Sequence, residues 1–121
     1  MIGYVMLGTN DRPKAEAFYD ALFSEIGVGR LFEVMHITAW GEDMSKPFFC
    51  ICTPLDRNEA NVSNGGMVAL RLESPEQVDE LHAKALELGA TNEGKPGRRP
   101  AGLYCAYFRD LDGNKVNFHA L

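Results

Sequence analysis

The feature that most constrains the fold of this chain is an internal repeat. The segment Gly66–Leu70, Gly-Met-Val-Ala-Leu, resembles Gly3–Leu7, Gly-Tyr-Val-Met-Leu, which lies 63 residues earlier. The same offset places Leu81 on Phe18 in the amphipathic segment that follows each copy. A pattern that recurs at this spacing indicates one supersecondary unit used twice.

The two copies are separated by a polar segment. Residues 54–65 are rich in Asp, Arg, Asn, Glu, Ser and Gly, which is typical of a surface linker with nothing to bury. A chain of 121 residues is long enough for one real core and too short for two ordinary domains. We therefore predict a single domain over 1–121, made of repeats at about 1–53 and 66–121.

Each repeat begins with a strand and a helix. Ile2–Thr9 carries almost no charge and predicts a strand buried on both sides. Pro13 sits where a first helical turn is expected, so a helix should begin near Arg12. In the second repeat Ser74 is a candidate N-cap and Gly89 a C-terminal stop, which predicts a helix between them.

Short β-rich segments complete each repeat. In the first they are Arg30–Met35, His36–Trp40 and Phe48–Thr53. In the second, Asp112-Gly113-Asn114 predicts a hairpin turn between strands Leu103–Phe108 and Lys115–His119. Between the second helix and this hairpin, residues 94–102 are rich in Pro and Gly and predict an irregular passage.

The pattern strand, helix, three strands, used twice, predicts an α+β fold. We expect two βαβββ units that form a curved mixed sheet around a cleft, with the helices on the outer face. The cleft is the expected ligand site. Strand alternation assigns nine side chains to it: Tyr4, Met6, Trp40, Cys50, Cys52, Met67, Arg71, Asn117 and His119.

Several of these residues have two interpretations. Arg71 suits a carboxylate or phosphate group of a ligand, or it pairs with a nearby Asp or Glu. Tyr4, Trp40 and Met67 either line the cleft for a flat apolar ligand or fill it as core. His119 is either a ligand or general base, or a half-exposed strand residue.

Charge and composition exclude some classes of binding partner. The net charge of −5 gives a nucleic-acid backbone no electrostatic reason to bind. No apolar run approaches the roughly 20 residues needed to span a bilayer, so we predict no membrane partner. The N-terminal residues lack the basic region of a secretory signal, and three cysteines, an odd number, predict free thiols in the cytoplasm.

One motif gives the repeat a family resemblance. Residues 109–115 read Arg-Asp-Leu-Asp-Gly-Asn-Lys. Together with the repeat, the Asp11–Tyr19 passage and the Pro75–Gly89 helix, this motif resembles the glyoxalase/bleomycin-resistance/dioxygenase superfamily, also called vicinal oxygen chelate proteins. The resemblance implies a divalent metal in the cleft, held by His on each first strand and Glu on each last strand, that chelates substrate oxygens.

The implied ligand positions carry other residues here. Tyr4 and Met67 occupy the two His positions, and Asn117 occupies one Glu position. The other Glu position falls within Phe48–Thr53, which contains no carboxylate or His. These side chains do not make a divalent-metal site, so we predict no metal and no cofactor. A rearranged site built from His119, Cys50 and Cys52 is the alternative.

The functional hypotheses follow from that comparison. The first is a metal-free member that binds a small organic molecule, as drug-sequestering members of the superfamily do, in a homodimer. The alternative is a lyase, isomerase or dioxygenase of glyoxalase type with rearranged ligands, and a purely structural role is a third. No nucleophile triad, P-loop or dinucleotide fingerprint is present, and we assign no catalytic residue.

Overall fold

The structure is a computed structural model that describes residues 1–121. The chain divides into two compact units, Met1–Asn61 (unit 1) and Val62–Leu121 (unit 2). Both follow the order strand, helix, three strands, which confirms the α+β class and the two βαβββ units. Neither of the two helices is long and apolar enough to cross a membrane.

Unit 1 contains one helix and a four-stranded mixed sheet. Its elements are β1 (Tyr4–Gly8), α1 (Arg12–Ser24), β2 (Gly29–Val34), β3 (Ile37–Gly41) and β4 (Phe48–Cys52). The strand order is β1-β4-β3-β2, with β1 parallel to β4 and the other neighbours antiparallel. The first strand therefore pairs with the last strand of its own unit.

Unit 2 repeats this topology. Its elements are β5 (Val68–Arg71), α2 (Pro75–Glu87), β6 (Thr91–Arg98), β7 (Tyr104–Arg109) and β8 (Lys115–Ala120), with a short 3-10 turn at Pro100–Gly102 before β7. The strand order is β5-β8-β7-β6, and β5 runs parallel to β8. The central strands β8 and β7 therefore hold the middle of the sheet.

Helix α1 covers one face of the unit 1 sheet. Asp11 caps the helix by accepting a hydrogen bond from the Lys14 amide at 3.2 Å, and proline lies in the first turn. The aromatic rings of Tyr19 and Phe23 pack on Phe49 of β4, with centroids 4.7 and 5.4 Å away. Full burial of side chains of this size contributes about 1.5–3 kcal/mol each, so this aromatic cluster holds helix and sheet together.

Helix α2 covers one face of the unit 2 sheet in the same way. Ser74 caps it by accepting from the Gln77 amide at 3.2 Å. Beneath it Phe108 and Phe118 are fully buried, with ring centroids 5.2 Å apart. His82 of α2 is buried as well, and its Nε2 lies 3.0 Å from the Tyr107 carbonyl oxygen, so it has a structural partner.

The predicted hairpin turn is confirmed and is centred on Asp110. One carboxylate oxygen of Asp110 accepts from the amides of Asp112 and Asn114, each at 2.9 Å, and the other accepts from Asn114 Nδ2 at 3.1 Å. Gly113 adopts a φ of 88°, which an L side chain rarely takes. The turn thereby fixes how β7 and β8 are aligned.

The Pro- and Gly-rich passage at 94–102 was wrongly expected to be irregular. Most of it belongs to strand β6, which pairs antiparallel with β7 through register shifts between Asn92 and Gly94 and between Gly94 and Gly97. β6 is an edge strand, where a proline such as Pro96 does not interrupt the ladder between inner strands. The irregular composition marks bulges in an edge strand rather than a loop.

Candidate functional site

In each unit the sheet has a second face, opposite the helix, which we call the distal face. Residues that are paired in the ladder share a face, and along β8 the helix side takes Val116 and Phe118. The distal face of unit 2 therefore carries the alternate residues. They are Ala69, Arg71, Cys105, Tyr107, Arg109, Lys115, Asn117 and His119.

Asn117 and His119 form a fixed polar pair on this distal face. Asn117 is only 3% exposed, and its Nδ2 donates to the Ala106 carbonyl at 3.3 Å. Its Oδ1 lies 3.1 Å from Nδ1 of His119, which is half-buried. Because an amide oxygen can only accept, His119 donates from Nδ1, and in the neutral ring Nε2 is left as an acceptor.

Arg71 lies beside this pair on the neighbouring strand. Arg71 is the ladder partner of His119. Its side chain is exposed, and the guanidinium forms no hydrogen bond or ion pair. The structure therefore does not support the interpretation in which Arg71 pairs with a nearby Asp or Glu. A guanidinium that points from a rigid strand without a partner is available to a carboxylate or phosphate.

Tyr107 is a functional candidate that the sequence analysis missed. It is the ladder partner of Asn117, and two cations lie over its ring, with Arg99 Cζ at 5.5 Å and Lys115 Nζ at 5.6 Å from the centroid. Burial raises the pKa of the Tyr107 phenol above its usual value, and a hydrogen bond with Cys105 adds to the shift, so the phenol stays protonated at neutral pH. Alternation counted back from Asn117 across the predicted hairpin was the signal that could have found it.

The distal face of unit 2 has excess positive charge. Arg71 and Arg99 form no salt bridge within 4 Å, whereas Arg109 pairs with Glu93 at 3.1 Å and Lys115 is attracted to the same carboxylate. This is notable in a chain whose net charge is −5. Uncompensated cations on one face favour an anionic ligand there.

The distal face of unit 1 is apolar and sulfur-rich. Tyr4 is exposed and stacks on Phe48 with centroids 5.2 Å apart and planes at 11°, and Phe32 meets Phe48 edge-on at 5.6 Å. Met6 is the ladder partner of Cys50, which is 1% exposed, and Cys52 is half-buried. Burial raises the pKa of Cys50 to about 11, and the nearby Cys52 adds to the shift.

Trp40 does not belong to this distal face, and its assignment to the cleft was wrong. It is the ladder partner of Phe49, so both residues face α1, and Trp40 is 1% exposed with its Nε1 donating to Asp20 Oδ1 at 2.9 Å. Alternation fixes relative faces within one strand, but only the register with β4 decides which face Trp40 takes. Met67 is exposed and immediately precedes β5, with the parity of Ala69.

A polar cavity of about 350 Å³ lies in unit 1 beside the start of α1. Arg12 and Arg57 are among its lining residues, and no sequence motif predicted the cavity. The Arg12 guanidinium already donates to Thr38 Oγ1 at 2.9 Å and to the Ile37 carbonyl at 3.0 Å. Most of its donors are therefore committed to the fold.

The residues at the family's ligand positions do not fit a divalent metal. Tyr4 is stacked on Phe48, Met67 offers a thioether, and Asn117 is held by Ala106 and His119. Hard divalent ions require several carboxylate, imidazole or carbonyl donors that converge. No group of three or more His, Cys, Asp or Glu side chains is placed to hold a metal ion.

The chain is an α+β protein built from two βαβββ units, each with a helix on one face of its sheet. This is the fold implied by the family resemblance of residues 109–115 and the repeat. The family model of the Glyoxalase/Bleomycin resistance protein/Dioxygenase superfamily matches residues 1–118. The chain therefore belongs to this superfamily. A comparison with functionally curated proteins gives no match.

Solved structures agree with this assignment. A glyoxalase/bleomycin resistance protein from Albidiferax ferrireducens T118 is 35% identical, with a TM-score of 0.91 over 100% of this chain and 98% of that chain. A hypothetical protein, SA1046 from S. aureus, is 24% identical, with a TM-score of 0.77 over 100% and 93%. A lactoylglutathione lyase from Agrobacterium tumefaciens is 21% identical, with a TM-score of 0.72 over 99% and 92%. The last two similarities concern the fold alone.

Proposed function

We propose that this protein binds a small organic anion, of the aromatic carboxylate class, on the distal face of unit 2, and that it does so without the divalent metal of its family. The observation that carries the proposal is the unpartnered Arg71, which stands next to the fixed pair of Asn117 and His119. The guanidinium would hold the carboxylate through two charge-assisted hydrogen bonds.

The neighbouring side chains support the same ligand class. Nε2 is the His119 ring nitrogen left for a hydrogen bond with a ligand hydroxyl group, because Nδ1 is committed to Asn117. Tyr107 offers an aromatic ring whose position is fixed by Arg99 and Lys115. These groups fit a ring that carries a carboxylate, and none of them depends on a metal ion.

The loss of the metal site is the second part of the proposal. It is supported by the poor fit of Tyr4, Met67 and Asn117 to a divalent ion. The alternative, a lyase, isomerase or dioxygenase with rearranged ligands, has no converging set of donors in its favour. The binding hypothesis is therefore preferred over metal-dependent catalysis.

The test is isothermal titration of metal-stripped protein, in the presence of a chelator, with benzoate, phenyl phosphate and neutral benzyl alcohol as probes. We expect the two anions to bind and the alcohol to bind more weakly. Arg71→Ala should weaken benzoate by about tenfold or more, because a charge-assisted hydrogen bond is worth roughly 1.5–3 kcal/mol.

Arg57→Ala is the matched control. Arg57 is also exposed, and its side chain also has no partner, but it lies in unit 1. We expect benzoate affinity to be unchanged in this variant. Equal losses in the two variants would show that only general electrostatic attraction is at work, and binding that requires an added metal would refute the metal-free proposal.

A homodimer and a cytoplasmic location stay predictions. Exposed apolar side chains on the distal face and β2 edge of unit 1, such as Tyr4 and Val34, support self-association. Light scattering coupled to size exclusion would measure the mass in solution. A monomer across the concentration range would remove the homodimer from the proposal.

A further inference from the structure

Three sulfur atoms belong to neighbouring positions on the distal face of unit 1. Cys50 and Cys52 are two residues apart on β4, so their side chains leave the same face of the sheet. Met6, on the adjacent strand β1, is the ladder partner of Cys50. Gly8 is the partner of Cys52 and places no side chain next to it. The two thiols and the thioether therefore occupy adjacent positions.

The two thiols are not placed as a disulfide. Residues two apart on a strand are separated by about 6.6 Å between Cα atoms, which is near the outer limit for an S–S bond. Both cysteines are free in the structure. A bridging ion is less demanding than a disulfide, because two metal–sulfur bonds together span a longer distance than one S–S bond.

The surroundings suit a soft ion and exclude a hard one. Cys50 is buried and has Ala39 as its ladder neighbour on β3, so no oxygen-bearing side chain stands beside it there. Met6 is 36% exposed and Cys52 is half-buried, so an ion can reach the sulfur atoms from solvent. Thiolate and thioether donors favour Cu(I), zinc and Fe–S clusters, but structural zinc sites and Fe–S clusters take four protein ligands, so a set of three sulfur atoms suits Cu(I) best.

We propose that Cys50, Cys52 and Met6 bind one Cu(I) ion. Two Cu–thiolate bonds form, the two thiol protons leave to solvent, and the Met6 sulfur adds a neutral third donor. Copper enters and stays as Cu(I), so no electron is transferred and no oxidant is needed. This site differs from the family's divalent-metal site in its donors and its ion.

The test is an anaerobic titration of reduced protein with Cu(I) against bicinchoninate, a coloured Cu(I) chelator. We expect one equivalent of Cu(I) to be withdrawn from the chelator and a Cu(I)–thiolate absorption to appear in the ultraviolet. Cys50→Ser and Cys52→Ser should each weaken binding by about tenfold or more, which corresponds to at least about 1.4 kcal/mol. Met6→Leu should cause a smaller loss.

Cys105→Ser is the matched control, because Cys105 is a buried free thiol in unit 2. It should leave the affinity for Cu(I) unchanged. Cys52→Ser changes a half-buried position, and circular dichroism would establish that it folds even if Cys50→Ser does not. Failure of the wild-type protein to compete with the chelator, or an equal loss in Cys105→Ser, would overturn the proposal.

Discussion

The β7–β8 turn offers a sharp prediction, because its geometry depends on one buried carboxylate. Asp110→Ala removes the acceptor of the Asp112 and Asn114 amides and of Asn114 Nδ2. Asn114 is buried, and every buried side-chain polar atom of the native protein has a partner. The variant removes two charge-assisted hydrogen bonds from buried Asn114 donors, each worth about 1.5–3 kcal/mol, so we expect a loss of about 3 kcal/mol in the free energy of unfolding.

The assay is urea unfolding followed by circular dichroism. With a urea dependence of about 1–3 kcal/mol per molar, the Asp110→Ala midpoint should fall by at least about 1 M. Asp110→Asn keeps one acceptor oxygen and should lose about 1 kcal/mol, because charge assistance is lost but the two amides can still be paired.

Asp56→Ala is the control for this experiment. Asp56 also accepts an amide hydrogen bond in a turn, from Asn58 at 2.9 Å, but on the exposed surface. Its removal should change stability by no more than about 0.5 kcal/mol. If Asp110→Ala were no more destabilising than Asp56→Ala, the turn would not depend on buried hydrogen bonds, and the argument that it fixes the alignment of Tyr107 with Asn117 would be refuted.

Three further predictions concern charge, packing and metal content. The hydrogen bond from Arg30 holds the pKa of Asp20 below 3.8, so the ionised carboxylate stabilises the fold above that pH, and this contribution disappears as the pH falls through the lower folded pKa. The difference in unfolding free energy between wild type and Asp20→Asn, measured by the fluorescence of the single tryptophan, should therefore shrink below about pH 4. A difference that stays constant with pH would contradict this. A Cβ at Gly94 would lie 2.8 Å from Tyr107 Cδ2, so Gly94→Ala should displace the Tyr107 ring and destabilise the protein by about 1–3 kcal/mol. Calorimetry should then show weaker benzoate binding, and unchanged binding would remove the Tyr107 ring from the site. Elemental mass spectrometry of protein purified without chelators should find less than about a tenth of an equivalent of Zn, Ni, Mn or Fe, and about one dialysis-resistant equivalent would contradict loss of the divalent site.

Local sequence patterns were enough to predict the architecture. The Ser74 cap and the Asp-Gly turn each depend on interactions within a few residues, and the structure contains the helix and the hairpin that they predicted. Strand β6 was not predictable in the same way. Whether a Gly- and Pro-containing segment forms an edge strand depends on an available partner strand, here β7, which local propensity does not describe.

The candidate site was only partly predictable, for a related reason. Arg71, Asn117 and His119 lie on one face of the unit 2 sheet, because ladder partners share a face and residues two apart on a strand do so as well. Alternation within each strand was the basis for grouping them. It failed for Trp40, whose face is decided by its register with Phe49. The Arg71 guanidinium has no partner because no acidic side chain is placed beside it in three dimensions, and no sequence pattern predicts this.

Binding of an organic anion without a divalent metal is tested most directly by nuclear magnetic resonance. Benzoate would be titrated into metal-stripped, nitrogen-15-labelled protein in the presence of a chelator. We predict saturable shifts of the backbone amide signals of Arg71, Tyr107 and His119, and little change at Tyr4. Shifts that appear only after a divalent metal is added, or that are confined to unit 1, would contradict the proposed function.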